Sequence, residues 1–135
     1  MMPRTIAPVT PVKLSPGSYF GIAVLVQEDL LVPMPEPVYF DDGVPLLPDD
    51  ISIAVYVAFD PDWNTAYVGS VWRPNDSHGI ESRIMEHLRE RDKNARWRGM
   101  YLLPLKPSTT DSQVRQAEGR IGRALRPYMT QRLPR

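Results

Sequence analysis

The 135-residue chain has no cysteine and two histidines, His78 and His87, and both scarcities bound its chemistry. A disulfide framework and any thiolate-built zinc or iron–sulfur centre are excluded, and so is a poly-histidine metal site. A bound metal has to lean on carboxylates. Long apolar runs are missing too. Nothing approaches the roughly 20 uninterrupted apolar residues of a membrane span, and the N-terminus lacks the short apolar stretch with a small-residue cleavage site that marks export. The chain therefore reads as a soluble cytoplasmic protein, of a length that suits one ordinary domain plus an extension. Net charge is absent as well, at +0, but the balance hides a segregation. Residues 1–70 carry two basic side chains against nine acidic ones, and residues 71–135 carry fourteen against seven. Clustered Lys and Arg give sequence-independent affinity for phosphates, so the C-terminal half suits a polyanion; a solvated helix surface laced with ion pairs accounts for the same charges equally well.

Proline is abundant, at 15 residues, and nine of these precede residue 50, which argues against helices there. Residues 1–16 read as an extended arm. The apolar, β-branched run Tyr19 to Val26 reads as a strand, with Leu30 to Val32 returning beside it as a hairpin, and residues 33–50 read as a connecting loop. The expected division is 1–50, a proline-rich arm and β-hairpin extension, and 51–135, the main domain. In the second part, Ile51, Ile53, Val55, Val57 and Phe59 alternate with smaller residues as a strand does, and Thr65 to Trp72 returns across the turn residues Asp60 to Asn64. Ile80, Ile84 and Leu88 mark a helix, with Asp76 or Ser77 as its cap and the charged run Arg89 to Lys93 at its end. Met100 to Leu105 is a third strand that Pro104 ends or places at an edge. Thr110 to Gln113 has the spacing of a capping box, and the following helix stops before Pro127. The order β-β-α-β-α predicts an α+β domain: a small three-stranded, mainly antiparallel sheet flanked by helices.

Several side chains stand out within this pattern. On a helical projection Glu118 points about 40° from the direction of Val114, Ile121 and Leu125, so a carboxylate borders the apolar stripe and needs an ion pair, a hydrogen bond or a metal. Arg83 and His87, four apart, share one helix face; a guanidinium suits a phosphate oxygen, and an imidazole of ordinary pKa exchanges protons near neutrality. Tyr56 and Tyr67 come from the two hairpin strands. Their rings emerge on one face if they pair directly, and part if the loop is one residue longer, unless a bulge restores the alignment.

Ala54-Val55-Tyr56, Tyr67-Val68-Gly69, Arg83 with His87, and Glu118 followed by Pro127 resemble the ordered motif set of the GIY-YIG nucleases, over residues 51–128. The resemblance implies cleavage of DNA phosphodiesters with one divalent ion, Mg²⁺ or Mn²⁺. It implies that Glu118 binds the metal, that Arg83 contacts the scissile phosphate, and that Tyr56 and Tyr67 position or deprotonate the attacking water. His87 matches a histidine of some restriction-enzyme members. Between Tyr56 and His87 as the base the choice stays open, with Tyr56 favoured. The expected partner is double-stranded DNA, met by Arg73, Arg96 and Arg98 of the basic half and by Gly69, whose missing side chain lets substrate approach the backbone or merely bends the strand.

The chain departs from the family pattern at Ala54, where glycine usually opens the first motif, and at Thr130, where an asparagine usually follows the proline. Those departures keep two alternatives in play: a catalytically impaired nucleic-acid-binding module on the same scaffold, and a structural or assembly protein that pairs through the Tyr19–Val32 ribbon.

Overall fold

The computed structural model describes residues 10–40 and 46–129. Along the chain come α1 (Ser18–Val24), β1 (Val38–Tyr39), β2 (Ile53–Phe59), β3 (Thr65–Trp72), α2 (Gly79–Leu88), α3 (Arg91–Arg96), β4 (Gly99–Pro104) and α4 (Asp111–Leu125). The four strands form one antiparallel sheet in the order β1-β4-β2-β3, and the mixed α+β class follows. The sheet has one strand more than the sequence predicts, because Val38 and Tyr39 leave the proline-rich segment to pair with Met100 and Gly99.

All seven residues of β2 are buried. Its alternation therefore does not divide core from solvent; it divides two cores, as helices on both faces of a central strand require. Ile53, Val55, Val57 and Phe59 meet Val114, Ala117, Ile121 and Leu125 of α4. Ala54, Tyr56 and Ala58 meet Ile80 and Ile84 of α2 together with Trp97. The capping box forms as the spacing predicts: Thr110 and Gln113 each accept the other's backbone N–H. Arg126, in the left-handed region at φ 53°, closes α4 ahead of Pro127. α2 starts differently, since His78 is its cap residue without a side-chain bond, and Asp76 accepts the His78 N–H at 2.9 Å. The charged run that was expected to finish α2 instead breaks at Arg89–Glu90 and starts α3.

The N-terminal hairpin is not formed. Ser18–Val24 is a helix, and Leu30 makes an isolated bridge to Leu105 instead of pairing with the preceding segment. Tyr19, Ile22 and Val26, spaced by three and four, turn inward, while Phe20 and Val24 remain exposed. A short continuous apolar run supports helix or strand equally, and here packing selects the helix. The ribbon by which copies of the chain were expected to pair is thus absent among the described residues. The described part of the arm packs on the sheet and α4: Val12 lies between Thr65 and Leu125 through backbone bonds of 3.0 and 2.9 Å, and Leu14, Tyr19, Ile22 and Val26 share the α4 core. No helix among the described residues is long and apolar enough to cross a membrane.

Candidate active site

The hairpin register decides where the two tyrosines point. Tyr56 lies opposite Gly69 and Tyr67 opposite Ala58, and the register shifts by one between Ala58 and Phe59, where Phe59 faces Thr65. Continued without that shift, the turn-proximal register would put Tyr67 opposite Val57 and its ring on the far face. Ala66 is the extra residue of a β-bulge, and the bulge returns both rings to the α2 face. They stack at 6.2 Å with planes 20° apart. Gly69 is what lets them do so: a Cβ there would stand 2.6 Å from both Tyr56 Oη and Tyr67 Cε2. The close approach expected of substrate at Gly69 is taken by the two aromatic rings.

From α2, Arg83 and His87 reach the same place, and all four side chains are buried. Tyr56 Oη lies 2.6 Å from His87 Nε2, and the Arg83 guanidinium also hydrogen-bonds Tyr56. Arg83 is further held by Glu86 at 3.4 Å. Burial works against the charge of Arg83, but the charge and hydrogen bond of Tyr56 and the pairing with Glu86 outweigh it and raise its pKa. Burial pushes the Tyr67 phenol far up, and the neighbouring charges of Tyr56 and Glu118 add to that effect against the opposing pull of Arg83. Tyr67 is accordingly a phenol across the physiological range, able to donate a hydrogen bond and unsuited to act as a base.

His87 departs from the sequence expectation. Burial first, then the positive charges of Lys93 and Arg83, lower its pKa to about 3, so the ring is neutral at pH 7 and does not exchange protons near neutrality. Its other nitrogen, Nδ1, lies 2.8 Å from Lys93 Nζ. Lys93 is buried, sits 4.6 Å above the Tyr67 ring centroid, and pairs with Glu90 at 2.5 Å. Lys93 has no place among the motifs, because in sequence it closes a run of five charged residues that reads as a solvated helix end.

Glu118 stands apart from these four. It is half-buried and accepts the Ser70 hydroxyl at 2.7 Å. Ser70 pairs with Val55 and so faces the α4 side of the sheet. Glu118 and the tyrosine cluster therefore flank the edge strand β3 from opposite faces, one residue along from Gly69, with the carboxylate still within electrostatic reach of the Tyr67 phenol. A half-buried carboxylate is a suitable oxygen donor for a hard divalent ion. Among the described residues no other acid or histidine joins it in a ligand-sized group; the one such group is Asp49, His78 and Glu81, all exposed at the start of α2.

The expected nucleic-acid contacts fare unequally. Arg73 is engaged by Glu86, with its Nη2 at 2.9 and 2.8 Å from the two carboxylate oxygens. Arg96 and Arg98 are exposed at either side of Trp97. Arg96 hydrogen-bonds Tyr128 and lines a cleft of about 410 Å³ with Glu90, Arg91, Lys93 and Met129. That cleft meets the buried cluster through Lys93 and through Glu90, whose carboxylate lies 3.7 Å from His87 Nδ1. Thr130 lies outside the described residues. No family model, curated protein or solved structure matches this chain.

Proposed function

We propose that the chain is a divalent-metal-dependent endonuclease that hydrolyses phosphodiester bonds of double-stranded DNA, with Mg²⁺ or Mn²⁺ held by Glu118. The observation that carries this reading is the convergence of Tyr56, Tyr67, Arg83 and His87 from three separate elements into one bonded cluster. Chance matches to short motifs have no reason to meet in space. In this reading Arg83, a cation that keeps its proton, neutralises charge on the phosphoryl oxygens. Tyr56 accepts the proton of the attacking water, and Tyr67, held as a phenol, orients that water. A divalent ion, when bound, supplies Lewis-acid stabilisation of the developing negative charge. The exposed Arg96 and Arg98 hold the DNA backbone.

The test is nicking of supercoiled plasmid in Mg²⁺, in Mn²⁺ and in chelator, with duplex binding measured in parallel. The expected result is metal-dependent nicking that falls by about 10²-fold or more in Glu118→Ala, while DNA affinity stays within about threefold, since one lost carboxylate does not remove phosphate contacts. Absence of nicking in either metal overturns the endonuclease reading. A second reading has a specific observation in its favour: Tyr56, Tyr67 and His87 are fully buried. A polar cluster closed to solvent suits a DNA-binding module that keeps the scaffold without turnover. Duplex binding without nicking supports that module.

A further inference from the structure

The chain of contacts around His87 has a direction, and its far end sets it. An ammonium group has three donors and no acceptor. Lys93 pairs with the Glu90 carboxylate 2.5 Å away and turns the same donor group to His87 Nδ1 at 2.8 Å, so Nδ1 accepts. A neutral imidazole that accepts at one nitrogen carries its proton on the other. Nε2–H therefore points along the 2.6 Å contact to Tyr56 Oη, and the tyrosine oxygen is the acceptor. The Arg83 guanidinium, which has only donors, meets the same oxygen.

We propose that Lys93, anchored by Glu90, is a positioning residue that fixes His87 as a hydrogen-bond donor to Tyr56 and thereby makes Tyr56, not His87, the group that receives the proton of the attacking water. The proposal rests on the nuclease reading. In the step it describes, an O–H bond of water breaks and its proton passes to the Tyr56 oxygen. The hydroxide oxygen bonds phosphorus as the bond from phosphorus to the leaving oxygen breaks; that oxygen takes a proton from solvent, and Tyr56 later returns its own to solvent. His87 stays neutral throughout. Its N–H and the Arg83 guanidinium stabilise negative charge on the Tyr56 oxygen before the proton arrives, as preorganised donors do. Lys93 touches no reacting atom. Its ammonium also lies over the Tyr67 ring, 4.6 Å from the centroid.

The experiment is nitrogen-15 NMR of the histidine rings in the full chain at pH 7, followed by nicking rates. There are two histidines, so a His78→Asn variant assigns both signals. The wild type is expected to give a neutral His87 ring protonated at Nε2 and bare at Nδ1, and Lys93→Met is expected to move part of the proton to Nδ1. In the nicking assay Lys93→Met should lower kcat by about 10²-fold with KM within about threefold, and Lys93→Arg should recover part of the loss. A His87 protonated at Nδ1 in the wild type overturns the proposal without need of any variant, and so does a Lys93→Met ring identical to the wild type. If the ring has the expected tautomer but wild-type protein nicks no DNA, the nuclease reading fails alone. Should Lys93→Met not fold, Glu90→Gln, a change at the rim of the cleft, takes its place: a lowered kcat with part of the proton on Nδ1 supports the proposal, and an unchanged ring overturns it.

Discussion

Gly69 has space for a hydrogen and nothing larger, because the two tyrosine rings close over its Cα. Gly69→Ala is therefore expected to separate the stacked rings and cost about 1–3 kcal/mol, read as a lower urea midpoint with unchanged slope; a midpoint equal to the wild type would show that the rings yield freely. At this scale the sequence was partly legible. The four-residue spacing of Arg83 and His87 implied their shared face, and the helical angle of Glu118 implied a carboxylate bordering the apolar stripe, since both depend only on local helix geometry. The relation of His87 to Lys93 was not legible. Six residues apart, they meet only because the helix breaks at Arg89–Glu90, and a broken and an unbroken charged run look alike in sequence. Burial of His87 was hidden for the same reason: Trp97, which lies 5.3 Å from it, arrives from beyond that break.

At the scale of elements, the local signals around β4 and α4 held, while the expected Asp76 or Ser77 cap of α2 gave way to His78. Thr110 and Gln113 cap α4, Pro127 follows its end, and Pro104 ends β4. Thr110→Ala is expected to destabilise the fold by about 1 kcal/mol, and a thermal unfolding curve superposing on the wild type would contradict the capping assignment. The helix α1 failed to announce itself because its apolar residues are continuous from Tyr19 to Val26; the inward set Tyr19, Ile22 and Val26 emerges only once the α4 face is there to receive it. The register of the hairpin lay between these cases. A bulge was one of the arrangements compatible with two tyrosines on one face, but the choice of Ala66 follows from a five-residue turn closed by Asp60, whose carboxylate accepts the N–H groups of Asp62 and Asn64, and by the Trp63 ring stacked on Phe59 at 4.3 Å. Local composition marks the turn without fixing the pairing that follows it.

Across the whole molecule, charge segregation along the sequence becomes something less simple in space. Basic residues of the second half are partly spent on their own half, as in Arg73 with Glu86, Lys93 with Glu90 and Arg115 with Asp111, while Arg120 reaches back to Asp29 and to the Leu25 carbonyl. The buried polar cluster has a further consequence for global stability. His87 has a folded pKa of about 3 against an ordinary value of 6.5, so between those two values the unfolded chain binds a proton that the folded chain refuses. Stability is complete above pH 6.5 and is lost as pH falls toward 3, at no more than about 1.4 kcal/mol per pH unit. Glu86, also on α2, is a carboxylate with a displaced pKa: burial opposes its ionisation, yet Arg73 and Arg83 overcome that and lower it. Its loss sets in only below the ordinary carboxylate range, so the interval from pH 6.5 to about 4.5 reports His87 alone among these two. Urea midpoints across that interval should fall for the wild type and stay level for His87→Phe, whatever the variant's stability at pH 7. The comparison reads a slope and is indifferent to the hydrogen bond that the variant also loses; equal slopes in the two proteins would place the acid sensitivity elsewhere and remove the case for a neutral, buried His87.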